Sequence, residues 1–245
     1  MIAIERLHKQ FGKNKVLKNL SLSFEQKGTI SAILGPNGSG KTTLIKSILG
    51  MVLPSQGNIH LFGKNIRGQW QYRDHISYLP QIARFPENLK TAELIAMIKD
   101  LRQRPAREEE LIRLFDLQAH LQKPLAYLSG GTRQKVNLVL AFMYDNPIYI
   151  LDEPTAGLDP LAIIRLKELL QEEKQKDKII LLTTHIMSLV DEIADEVVFL
   201  LDGHIHFRGS LSDLKSTYSG QAVEQAIANL LRQEQHNRQT STRLP

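Results

Sequence analysis

The chain has 245 residues, 42% hydrophobic and 23% charged, an ordinary globular composition that suits one large domain or two small ones. It has no cysteine, which excludes disulfides and thiolate chemistry and fits a reducing compartment. The net charge of +5 comes from lysines and arginines spread along the chain and mixed with acids, so charge gives no reason to expect a nucleic-acid partner.

The N-terminus, MIAIERLHKQF, lacks the apolar core of a secretory signal. The longest apolar runs, near Ile179 to Leu182 and Val197 to Leu201, are too short to cross a bilayer, so a membrane is expected only through a partner.

In chain order, IAIERL, LSLSF and TISAILG read as strands by their β-branched and leucine alternation. TISAILG runs into GPNGSGKTT and then a helix, LIKSILG, stopped at Gly50. GNIHLFG and HISYLPQ are short strands bounded by turn residues. From Thr91 to about Leu128 the pattern is helical, with Leu94, Ile98 and Leu101 on one face and Leu111, Leu114 and Phe115 on a second helix beyond Pro105. Another helix is predicted from Gly131 to Tyr144 and stopped by Asn146-Pro147. IYILDEP is a continuous apolar strand ending in acids, the pattern of a strand buried on both faces. A helix from Pro160, the strand KIILLTTH, a short helix and the strand EVVFLLDG complete an alternation that implies a parallel sheet covered by helices. Ala222, Val223, Ala226, Ile227, Leu230 and Leu231 form an amphipathic helix, followed by a polar tail expected to fray.

Gly35 to Thr42 fits G-x-x-x-x-G-K-[ST] between a strand and a helix. Backbone N–H groups of such a loop curl around phosphate, and the helix N-terminus adds positive potential. Lys41 would reach the β- and γ-phosphates, and the Thr42 hydroxyl would ligate Mg²⁺. The expected nucleotide-binding stretch is therefore Gly35, Pro36, Asn37, Gly38, Ser39, Gly40, Lys41, Thr42 and Thr43. Asp152 closes a buried strand, where its carboxylate can hold Mg²⁺, and Glu153 is placed to orient the attacking water. LSGGTRQ, from Leu128, opens a second helix with a serine and two glycines, again chemistry suited to an anion. His204 and His206 share a strand face, but without a third ligand they do not make a metal site.

From Met1 to about Leu214 the chain resembles the nucleotide-binding subunits of ABC transporters, on an ordered set of motifs: the phosphate-binding loop, Gln81 in YLPQ, LSGG at Leu128 to Gly131, LDEP, AGLD at Ala156 to Asp159, and His185 in TTH. The resemblance implies an α/β P-loop NTPase core with a mostly parallel sheet, an N-terminal antiparallel β subdomain and an inserted helical subdomain at about 91–135. The ATPase domain then spans 1–220, with the amphipathic helix and tail at 221–245. It further implies that Phe11 stacks on adenine, that Gln81 joins Thr42 and Asp152 at Mg²⁺, and that Glu153 and His185 are catalytic. Two subunits, most simply a homodimer, would close head to tail on two ATP molecules, with Ser129, Gly130, Gly131 and Asp159 meeting the partner's nucleotide.

A separate integral membrane permease would dock on the region 81–99 and hold the subunit at the cytoplasmic face of the cell membrane. AGLDP and LSGGTRQKV resemble the subgroup paired with ABC-2-type permeases, often exporters. Thr132, where the family commonly has glutamine, marks a subgroup. YLPQIARFPENL also looks like the ATPase subunit of the transporter that matures the copper sites of nitrous oxide reductase. The alternative is a non-transport ABC ATPase of DNA repair, chromosome structure or translation, but the chain has neither the inserted coiled coil of the chromosome-structure members nor the paired cassettes usual in translation. A P-loop small-molecule kinase leaves LSGG and the motif order unexplained.

Overall fold

The computed structural model describes residues 1–241, with side chains through Gln233. The N-terminal strands are β1 (Ile2–Phe11) and β2 (Asn14–Phe24), longer than the leucine alternation alone indicates. β3 (Thr29–Leu34) leads through the glycine-rich loop into α1 (Lys41–Ile48), and β4 (Gln56–Leu61) and β5 (Lys64–Asn65) form the next hairpin. β6 (Ile76–Leu79) precedes the helical stretch of α2 (Thr91–Arg102), α3 (Glu108–Leu114) and α4 (Gly130–Phe142). The chain then alternates through β7 (Ile148–Asp152), α5 (Pro160–Gln175), β8 (Ile179–Thr183), α6 (Met187–Ile193) and β9 (Glu196–Leu201). It ends with β10 (His204–Ser210), α7 (Leu211–Thr217) and α8 (Val223–Ser241).

Two sheets result. The first is antiparallel in the order β2-β1-β4-β5; the second is six-stranded in the order β10-β9-β3-β8-β7-β6, parallel except at its β10 edge. β3, β7 and β8 are buried at every position, as continuous apolar strands covered on both faces must be. Strand alternation divides the core in two. Ile30, Ala32, Tyr149, Leu151, Ile180 and Leu182 face a core built with the helices from α2 onward. Ile33, Ile148, Ile150, Ile179 and Leu181 face the other core, shared with α1 and the antiparallel sheet. Thus α1 lies between the two sheets, while α4 packs on the opposite face of the parallel one.

Several local expectations change. Leu101 is 75% exposed, whereas Leu94 is fully buried; the last turn of α2 carries Leu101 away from the core. α4 begins one residue earlier than its pattern suggests, because the Ser129 hydroxyl accepts from Thr132 N at 3.1 Å and caps it there. It ends at Phe142 instead of Tyr144. The C-terminal helix runs on to Ser241, beyond its apolar stretch, while residues 242–245 of the polar tail lie outside the described residues. Its first turns dock on the body: Val223, Ala226 and Leu230 are buried, and Val223 N donates to Asp191 Oδ2 on α6 at 3.1 Å. No helix among the described residues is long and apolar enough to cross a membrane.

Candidate nucleotide site

Because β3, β8 and β7 are adjacent and parallel, their carboxyl ends open on one edge, where an α/β sheet presents ligand-binding loops. Each end carries one predicted element: the Gly35–Thr43 loop after β3, His185 after β8, and Asp152-Glu153 at β7.

The loop after β3 is shaped by Gly35, with φ +149°, where an added Cβ would lie 2.0 Å from the Leu200 carbonyl oxygen. Only glycine lets the loop pass this close to β9. Pro36, Asn37 and Gly38 are exposed, Gly40 is buried, and Ser39 is buried with no protein partner for its hydroxyl. Thr42 and Thr43 lie half-buried in the first turn of α1. Lys41 Nζ bridges the loop, donating to Gly35 O at 2.6 Å and Pro36 O at 3.1 Å. Burial lowers the Lys41 pKa, opposed by the nearby negative charges of Glu153 and Asp152. The lysine and both acids therefore share one electrostatic neighbourhood.

Asp152 is 4% exposed and accepts a hydrogen bond from Thr183 Oγ1 on its Oδ1. Glu153 has a left-handed backbone, φ +53°, and its N–H points back to Thr183, 3.1 Å from the carbonyl oxygen and 3.2 Å from Oγ1. This turn swings the Glu153 carboxylate toward His185, whose Nδ1 lies 2.9 Å from Oε2. Thr183, the first threonine of TTH, thus fixes both acids, a role hidden in the sequence because strand pairing brings it there. Asp152, Thr42 and Gln81 offer only oxygen donors, a hard set that fits Mg²⁺. Gln81 is exposed just past the edge strand β6. Burial pushes the nearby Tyr78 phenol up to about 12, helped by the Asp152 charge.

Phe11 is 49% exposed at the end of β1, with Lys9 Nζ 4.6 Å from its ring centroid. It is therefore not a core aromatic.

α4, which Ser129, Gly130 and Gly131 open, packs on the opposite face of the parallel sheet from α1. Ser129 and Gly130 are exposed. Gly131 meets the segment after Glu153 so closely that a Cβ there would lie 2.5 Å from Gly157 O. Asp159, predicted to meet the partner's nucleotide, is also engaged within its own chain. It caps α5 by accepting from Ala162 N at 2.9 Å and pairs with Lys135 Nζ at 2.6 Å. The Lys135 bond holds its carboxyl below the usual range, assisted by the bond from Ala162 N. Lys135 and Gln134 were not singled out in the sequence; only the fold brings them to this segment. His204 and His206 stand edge to face at 6.5 Å, and no cluster of three metal-ligating residues occurs among the described residues.

Residues 17–156 match the family profile described as ABC transporter. The chain is 33% identical over 224 residues to the ABC-type transporter ATP-binding protein EcsA of Bacillus subtilis (strain 168), covering 89% of this chain and 90% of that protein. It is 30% identical to the daunorubicin resistance ATP-binding protein DrrA3 of Streptomyces coeruleorubidus, covering 91% of this chain and 72% of the relative. A solved structure described as the ATP binding subunit of an ABC transporter superposes with a TM-score of 0.87 at 31% identity, over 94% of this chain and 99% of the other. With the phosphate-binding loop, the paired acids and the histidine on one sheet edge, this chain belongs to the ABC transporter family as an ATP-binding, ATP-hydrolysing cassette.

Proposed function

We propose that this cassette closes head to tail with a second copy on two ATP molecules and thereby drives a separate membrane permease of the exporter type. The observation that carries this reading is the separation of α4's exposed Ser129-Gly130 start from α1, on opposite faces of the parallel sheet. An exposed anion-seeking start, on a helix across the sheet from its own chain's P-loop helix, suits a neighbouring subunit's γ-phosphate.

In this reading Phe11 stacks on adenine, and the loop from Gly35 through Gly40, with Thr43, surrounds the phosphates. Lys41 leaves the carbonyls of Gly35 and Pro36 for the β- and γ-phosphate oxygens. Thr42, Asp152 and Gln81 would hold Mg²⁺, which would supply neutralising positive charge to the phosphates. Glu153 orients water for in-line attack on the γ-phosphorus, and His185 donates to the γ-phosphate as charge builds there. The left-handed Glu153 backbone and its Thr183 contacts hold the carboxylate beside His185. Ser129, Gly130 and Gly131, with Asp159 beside them, complete the partner's site.

A cleft of about 440 Å³ supports permease docking at the region 81–99, because Ile82, Phe85 and Leu94 line it opposite Leu125 and Val136 of the helical stretch. Ile82 is 69% exposed, an apolar side chain suited to an incoming helix. The exporter assignment rests on DrrA3 and on the Nod factor export ATP-binding protein I of Ralstonia nicotianae (strain ATCC BAA-1114 / GMI1000), 30% identical over 220 residues. A cargo role in nitrous oxide reductase copper-site maturation rests on the YLPQIARFPENL likeness alone. Affinity purification of the chain from its native membranes tests the reading. Recovery of a polytopic membrane protein supports transport; recovery of ribosomes or DNA without one overturns it.

A further inference from the structure

We propose that Gln134 is a positioning residue for the catalytic carboxylate: it ties the helix that begins with Ser129-Gly130-Gly131 to the loop carrying Glu153. The transmission between nucleotides argued below rests on the head-to-tail reading; the positioning within one chain does not.

Gln134 is 6% exposed, and its Nε2 donates to Pro154 O, the carbonyl next to Glu153, at 3.1 Å. Asn137 Nδ2 lies 3.4 Å from Gln134 Oε1 and fixes which end of the amide faces the loop. Glu153 is thus gripped from two elements: Thr183 of β8 holds its N–H, and Gln134 of α4 holds the carbonyl of the following residue. Its left-handed backbone, φ +53°, is an uncommon conformation that such bracing helps to hold.

Two neighbours extend the same connection. Gly131 packs against Gly157 O, and Lys135 pairs with Asp159 at 2.6 Å. Three positions in the first turns of α4 therefore bind the segment 154–159, which follows Glu153 directly. A displacement of the helix start reaches the Glu153 backbone through short, stiff contacts. When Ser129 engages the partner's nucleotide, the carboxylate of this chain's own site is drawn into register, so each ATP reports to the other site.

The test uses the full chain with Gln134→Met, which keeps the side-chain length and removes the donor, and with Lys135→Met and Lys135→Arg. The expected result for Gln134→Met is a kcat lower by about 10- to 100-fold, as for a misplaced catalytic group. Its ATP Kd should stay within about twofold of wild type, the signature of a loss confined to the transition state. The Hill coefficient for ATP hydrolysis should fall toward 1. Lys135→Met should reproduce the effect more weakly without disturbing folding, and Lys135→Arg should restore it.

A Gln134→Met chain with wild-type kcat and Hill coefficient overturns the proposal. So does a variant in which kcat and ATP affinity collapse together while Lys135→Met behaves as wild type, because that pattern is general damage to the fold. The dimer reading is tested apart, by ATP-dependent dimerisation of Glu153→Gln. Should that chain stay monomeric with ATP, the transmission between sites is overturned, while a kcat-only loss in Gln134→Met still supports positioning of Glu153.

Discussion

His185 Nδ1 stands 2.9 Å from Glu153 Oε2, and the two residues differ sharply in exposure: the histidine side chain is 79% exposed and the glutamate 13%. The more buried member is held through its N–H to Thr183 of β8. A held carboxylate with a solvent-exposed partner suits a site in which water is oriented by one group and phosphate by the other.

Glu153→Gln should therefore remove the base while leaving the phosphate contacts intact. ATP hydrolysis should fall by about 100-fold or more, with ATP binding retained, as for loss of a transition-state interaction. Size-exclusion chromatography with ATP should show a stable dimer. Turnover near the wild-type rate would remove Glu153 from its assigned role.

Lys41 gives a linkage prediction with a definite sign. Its folded pKa lies below the ordinary lysine value because burial disfavours the charged amine. Folding therefore favours loss of this proton, and the cost of burying the charge is present at neutral pH and is relieved as pH rises through the folded pKa. Lys41→Met should leave the nucleotide-free melting temperature at pH 7 unchanged or raised, and should abolish the stabilisation that ATP with Mg²⁺ gives the wild type. Differential scanning fluorimetry reads both. An undiminished ATP-induced shift in the variant would contradict the assignment of Lys41.

Arg107 joins the helical stretch to the core. Its Nη2 lies 2.6 Å from Glu173 Oε1, its Nε donates to Phe142 O at 3.1 Å, and Glu173 is 1% exposed. Lys176 also approaches the same carboxylate oxygen at 2.9 Å. Arg107→Ala should destabilise by about 3 kcal/mol, because it takes the guanidinium partner from a buried carboxylate. Arg107→Met combined with Glu173→Met should recover most of that loss, since removing both charges also removes the desolvation cost. Urea titrations of the single and double variants measure the difference, and a double variant no better than Arg107→Ala would refute the explanation.

Adjacent glycines of LSGG should behave differently. A Cβ at Gly130 meets nothing within 4 Å, whereas one at Gly131 would lie 2.5 Å from Gly157 O. Gly130→Ala should hold or raise stability by about 0.5–1 kcal/mol through the unfolded chain. Gly131→Ala should lower the melting temperature, because helix and loop must separate to admit the methyl group. Equal effects at the two positions would show that the Gly131 contact is not tight.

Elements with local signals were legible in the chain. The strand–GPNGSGKT–helix unit and the apolar strand IYILDEP follow from glycine freedom and continuous burial within a few neighbouring residues. The approximate helix starts and the family motifs were legible for the same reason. Helix ends and solvent faces were less so, as Leu101 shows: its spacing matches Leu94 and Ile98, but exposure depends on what stands opposite the last turn. That Thr183 brackets both acids, that Arg107 reaches Glu173, and that Gln134 and Lys135 bind the loop after Glu153 emerged from the folded packing alone. Those partners are from 20 to 66 residues apart, or sit on neighbouring strands, and no sequence period connects them. Their meeting depends on strand order and helix packing, which set the distances on which hydrogen bonds and ion pairs depend.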